Sequence, residues 1–260
     1  GPQNLAGTEY TWYLNPHAAR SFTDALILRL AQEYFPLVKR PWQGKEYMSG
    51  TDNYLGDPLI GIPTVWPYSG TGVHSHHNSA DTPETVDGRS LRDLITVNAA
   101  YLYYIAAAGP AEGRAMGELA LTRGYQQIAA AADAVLERVA AAPDARELGL
   151  LVHQGRERID YALDRETQAV RSATRLAPGR DLSGPLALFA AGQRSRIERA
   201  VADRGIPEVR PIAPEPDAVA SRIVVRRKRP GTITLDDLAP DQRQGYPAAS
   251  FSGPPVTALY

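Results

Sequence analysis

The hydrophobic period changes near residue 110, and this restricts the chain to an architecture joining a sheet-containing part to a helical one. Upstream, strand and helix signals alternate. Glu9 to Leu14 is aromatic and Thr-bearing, which predicts a strand, and Asn15-Pro16 predicts a turn. Ser21 to Phe35 then places Phe22, Ala25, Leu26, Leu28, Leu30 and Ala31 at helical spacing, with Ser21 or Thr23 as the cap. Ile60 to Trp66 is short, apolar and β-branched between Gly, Asp and Pro, so it predicts a buried strand. Ser69 to Thr85 is rich in Gly, Ser, Asn, Asp and His and predicts a loop. After it, Asp87 precedes Leu91, Leu94, Ile95, Ala99, Leu102 and Ile105, the pattern of an amphipathic helix capped by a carboxylate.

Downstream the period is helical throughout. Ile128, Ala132, Val135, Leu136 and Val139 share one face, as do Ile159, Ala162, Leu163, Ala169, Val170 and Ala173. Leu186, Phe189, Ile197 and Val201 suggest a third helix, and Pro143-Asp144 and Pro178-Gly179 separate the three. The expected organisation is an α/β part over 1–109, a helical extension over 110–204, an extended Pro-rich linker over 205–220 and a small β segment over 221–260. Gly1-Pro2 opens the chain without Met and Pro255 to Tyr260 closes it on an apolar stretch, so both ends are expected to be cut or processed.

Several function classes recede on composition. With no cysteine, disulfides and thiolate zinc sites are excluded, and a metal would need His, Asp or Glu. A net charge of −1 gives no global field toward nucleic acid or membrane. Arg226-Arg227-Lys228-Arg229 reads as a solvated, charge-protected edge strand. No run approaches the roughly 20 apolar residues of a membrane span. The expectation is a soluble protein with neither nucleic-acid nor membrane partner, and composition does not fix its compartment.

Chemistry concentrates between Ser49 and Leu91. Asp52 sits in a Gly/Asn turn ahead of the Ile60 to Trp66 stretch, and His74, His76 and His77 crowd the polar loop after it. Three of the chain's five histidines thus lie within four positions, which points to a metal or proton-transfer site or else to a solvated loop with incidental histidines. The residues alone leave both readings open.

The segments Gly50-Thr51-Asp52, Gly61-Ile62-Pro63, His77-Asn78-Ser79-Ala80-Asp81-Thr82-Pro83 and Val86-Asp87 resemble, in order and spacing, the second half of the di-zinc aminopeptidases of metallopeptidase family 28. The likeness covers about residues 1–109. It implies a zinc-exopeptidase-type mixed-sheet sandwich, two zinc ions, a peptide substrate and removal of N-terminal residues. By that resemblance Asp52 is a carboxylate ligand of one zinc and His77 an imidazole ligand of the other. His76 stands where homologues often place a Tyr that donates to the substrate carbonyl, so it is the catalytic candidate. Tyr54, Trp66 and Tyr68, with Tyr47, are candidates to wall a side-chain pocket, although aromatic core packing fits them as well. Asp81 and Thr82 are expected to order the loop through side-chain to backbone bonds.

The family's other ligands and its general-base Glu belong to an upstream half, which the resemblance makes the missing partner of this chain. One ligand per metal does not hold zinc tightly, so the chain alone is expected to bind metal only weakly, through its histidine cluster, and to be inactive. Two other functions fit the same residues: a non-catalytic peptidase-like binding or assembly module, and a glutaminyl cyclase-like acyl transferase.

Overall fold

The computed structural model describes residues 9–47, 55–56, 60–69, 79, 82–179, 181–207 and 209–214. Within them the chain is mixed α/β and mostly helical, with one three-stranded mixed sheet. Strand β1 (Tyr10–Tyr13) lies in the centre. It pairs in parallel with β2 (Trp42–Lys45), in register Tyr10 to Trp42, and antiparallel with β3 (Trp66–Ser69), in register Tyr10 to Ser69. Helix α1 (Phe22–Tyr34) makes the crossover between the parallel pair.

Strand alternation sorts the sheet's side chains. Tyr10 and Trp12 are fully buried on one face, where Tyr10 stacks on Phe35 with ring centroids 5.6 Å apart. Tyr13 points to the other face, with Trp66 and Tyr68 from β3. The predicted strand over Ile60 to Trp66 is a correction: it begins only at Trp66. Gly61 adopts a left-handed φ of 67°, and Pro63 has no N–H to offer a ladder. Thr64 instead donates its backbone N–H to Asn15 Oδ1 at 2.6 Å.

The helix starts follow their caps. Ser21 Oγ accepts from Thr23 N at 3.3 Å and opens α1. Asp87 accepts from Ser90 N at 3.0 Å and opens α2 (Gly88–Ala107). Pro110 begins α3 (Pro110–Ala141), with Glu112 accepting from Gly109 N at 3.0 Å. Asp144, accepting from Glu147 N at 2.8 Å, opens α4 (Ala145–Ser172). Pro185 lies in the first turn of α5 (Gly184–Ala202).

The last three helices pack on one another. Arg156 pairs with Glu198, and Arg194 with Asp160, so α4 and α5 run antiparallel. Glycine sets their spacing: a Cβ at Gly155 would lie 2.8 Å from Ile197 Cδ1 and 3.3 Å from Val135. The bundle shares one buried core with the sheet part, running from Tyr10 to Val201. Helix α1 packs on α3 and α4, and Phe22 N donates to Ser172 Oγ at 2.8 Å. Residues 209–214 form neither helix nor strand and lie against α4, with Ile212 N donating to Gly149 O at 3.0 Å. The expected β segment over 221–260, with its basic run, lies outside the described residues. No helix among the described residues is long and apolar enough to cross a membrane.

Candidate functional site

Strand β3 delivers the chain at Ser69 to the sheet edge where β1 begins. Helix α2 starts beside the same point, because the Tyr10 hydroxyl donates to Ser90 O at 2.8 Å. Residues 70–87 therefore leave and return next to one buried tyrosine. His74, His76, His77 and Asp81 belong to this stretch and lie outside the described residues. Thr82 is described. Its carbonyl accepts from Thr85 N at 2.9 Å and Thr85 Oγ1 at 2.7 Å, and its hydroxyl holds the Glu84 carboxyl below its usual range.

A buried carboxylate fixes the start of α2. Asp93 accepts from the Tyr34 hydroxyl at 2.9 Å, Arg40 Nε at 2.9 Å and Arg92 Nη2 at 3.1 Å. Burial pushes its carboxyl up, but these hydrogen bonds outweigh burial and hold it below the usual range. Arg40 also lies over the Tyr10 ring, 5.4 Å from its centroid. The end of α1, the entry to β2 and the start of α2 thus meet around Tyr10. Asp87, the α2 cap, has its carboxyl lowered to about 2 by the Ser90 hydroxyl and backbone N–H.

Trp66 and Tyr68 come together with Tyr13 on the second sheet face. Tyr13 and Trp66 stack at 5.3 Å, and Trp66 and Tyr68 lie 5.3 Å apart, all three half-buried. They form a cross-strand aromatic cluster with accessible edges, suited either to sheet packing or to a pocket wall. Tyr47, just past β2, is half-buried, and Tyr54 lies outside the described residues.

Asp52, also outside the described residues, belongs to the stretch between β2 and β3. That stretch leaves Lys45 and re-enters at Trp66, at the sheet edge opposite the exit of β3. These strand ends do not bring the two stretches to one edge of the sheet, and Asp52 and His77 themselves lie outside the described residues.

At the edge where β1 and β2 end, the structure gathers polar residues that sequence reasoning missed. Asn15 is fully buried, and both its backbone N and its Nδ2 donate to Asp24 Oδ1, at 2.9 and 2.8 Å. Arg20 Nη1 donates to Asp24 Oδ2 at 3.3 Å. Burial pushes the Asp24 carboxyl up, against the pull of Arg20 and Asn15. From α4, Arg165 Nε donates to buried Glu166 at 2.8 Å and Arg165 Nη2 to Gln127 Oε1 at 3.0 Å. His17 stacks on Tyr161 at 4.2 Å, and burial, then Arg165 and Arg20, push its pKa down. A local signal existed: Asp24 falls on the apolar stripe of α1 beside Ala25 and Leu26, where an unpaired carboxylate is untenable.

No family model, curated protein or solved structure matches the chain. Among the described residues, no group of three or more His, Asp or Glu side chains is placed to hold a metal.

Proposed function

We propose that this chain is the carboxyl-terminal half of the catalytic domain of a di-zinc aminopeptidase, which removes N-terminal residues from peptides. The observation that carries the reading is the order and spacing of the Gly50, Gly61, His77 and Val86 motifs, leading into a helix capped by Asp87. The mixed sheet and its crossover helix support it as part of an exopeptidase-type sandwich that upstream residues complete. So does the doubly anchored stretch 70–87, since a metal ligand carried on a loop needs both ends of that loop fixed.

In this reading His77 supplies an imidazole and Asp52 a carboxylate, donor types that suit zinc. Bound zinc supplies a water activated near neutral pH. His76, next to the ligand in the sequence, would donate a hydrogen bond to the carbonyl under attack. Trp66 and Tyr68 offer an apolar wall for the substrate's first side chain.

The test uses the protein that carries this chain together with its upstream residues. It should release the aminoacyl group from aminoacyl anilides, and a chelator should abolish this. His77→Ala and Asp52→Ala should each lower kcat/KM on the order of a hundredfold or more. Undiminished, chelator-resistant turnover in His77→Ala would overturn the proposal. Absence of any hydrolysis, with the protein folded and zinc supplied, would favour a binding module on the same scaffold.

A further inference from the structure

Two guanidinium groups from distant parts of the chain converge where β2 ends. Arg20 precedes the α1 cap and Arg165 projects from α4, with side chains only 3% and 11% exposed. Each has a buried carboxylate of its own, Asp24 for Arg20 and Glu166 for Arg165. A third carboxylate, Glu46, bridges the two: Oε2 is bonded to Arg20 Nη2, and Oε1 lies 3.6 Å from Arg165 Nη1. Glu46 differs from the other two in being 60% exposed.

That difference decides which contact can exchange. Asp24 and Glu166 have no water to return to, so breaking their bonds strands a buried charge. Glu46 can swing into solvent at little cost. Arg20 Nε is buried and has no partner, and Nε and Nη2 form the guanidinium edge that grips a carboxylate with two parallel bonds. Glu46 uses only one nitrogen of that edge. Beside it, burial first and then Arg165 and Arg20 hold His17 toward its neutral form, against Asp164 and Glu166.

We propose that Arg20 and Arg165 form a carboxylate-binding site whose resident occupant is Glu46, and that a ligand carboxylate replaces it. The site lies at the carboxyl ends of the parallel strands, a usual place for ligands in α/β sheets. Displacement frees the residue that leads from β2 into the stretch bearing Asp52.

The full chain is titrated with N-acetylglycine, which presents a peptide-type terminal carboxylate, and with its uncharged amide, at constant ionic strength. Binding is followed through the arginine Nε–H resonances. Glu46→Gln should bind N-acetylglycine about tenfold more tightly than the parent, because the internal competitor, present at an effective concentration near millimolar, loses its charge. The amide should not bind. Adding Arg165→Gln to Glu46→Gln should remove saturable binding with the circular dichroism spectrum unchanged. Arg165→Lys, which keeps the charge but loses the fork, should weaken binding several-fold. Acetate binding as well as N-acetylglycine would assign the site to carboxylates at large, and a preference for N-acetylglycine would assign it to a peptide terminus; either supports the proposal. Equal affinity in parent and Glu46→Gln, equal binding of the amide, or saturable binding that survives Arg165→Gln would each overturn it.

Discussion

In α3, α4 and α5 the seams are filled mostly by glycine, alanine and branched aliphatics such as Val135, Ile159 and Ile197, with one buried carboxylate, Glu166, bonded to Arg165, and the ion pair Arg156–Glu198 outside. Around β1 the seams hold Asn15, Arg20, Asp24, Arg40 and Asp93 beside the aromatic rings. The bundle is held by shape and buried area, which many sequences can supply. The sheet part is held by directional bonds, each needing a named partner. The difference follows from what each part has to do. The helices rest mainly on mutual burial, with the Glu166–Arg165 pair as a polar exception, whereas the turns between β1, α1 and β2 bring many backbone and side-chain polar groups indoors and must satisfy them there.

The sharpest way to break this contrast is Asp24→Leu. If apolar packing alone held the β1–α1 turn, the substitution would be tolerated. It should instead destabilise by about 3–5 kcal/mol in denaturant unfolding, because Arg20 and Asn15 lose their buried acceptor. A neutral result would place the sheet part under the same rules as the bundle. Next is Ile159→Ala, at a fully buried bundle position, which should cost about 2–5 kcal/mol. Because the core is continuous from Tyr10 to Val201, unfolding should stay a single transition by both tryptophan fluorescence and circular dichroism. Two separated transitions would mean that the bundle stands apart.

The smallest effect concerns pH. The Asp87 carboxyl is held down to about 2 in the fold, below its ordinary 3.8. A depressed carboxyl stabilises fully above the unfolded value, and the contribution fades as pH falls through the folded one. Asp87→Asn should therefore flatten the loss of stability between about pH 4 and pH 2. An unchanged acid profile would show that the cap does not carry that share.

These contrasts also explain what the sequence made legible. The three bundle helices, their Pro143-Asp144 and Pro178-Gly179 breaks, the Ser21 and Asp87 caps and β1 all rest on local period or local hydrogen bonding, and they stand where the residues place them. Strand β3 was misplaced because its ladder is set by β1 and by the Asn15 bond to Thr64, neither of which is local to Ile60–Trp66. The polar seams were invisible for the same reason. Asn15 meets Asp24 nine residues on, but Arg165 meets Glu46 from the far end of another helix. Of the candidate site, the sequence yields the histidine cluster and the motif order. The anchoring of that stretch at Tyr10 emerges only when the strand and helix ends are placed together.

The central claim is that His77 holds a zinc ion once the upstream residues complete the domain. Diffraction data collected on either side of the zinc absorption edge, from crystals of that longer protein, test it directly. The account predicts an anomalous peak about 2.0–2.1 Å from an imidazole nitrogen of His77. A fully occupied zinc elsewhere, or none after soaking at saturating zinc, with the His77 ring away from it, would contradict the account.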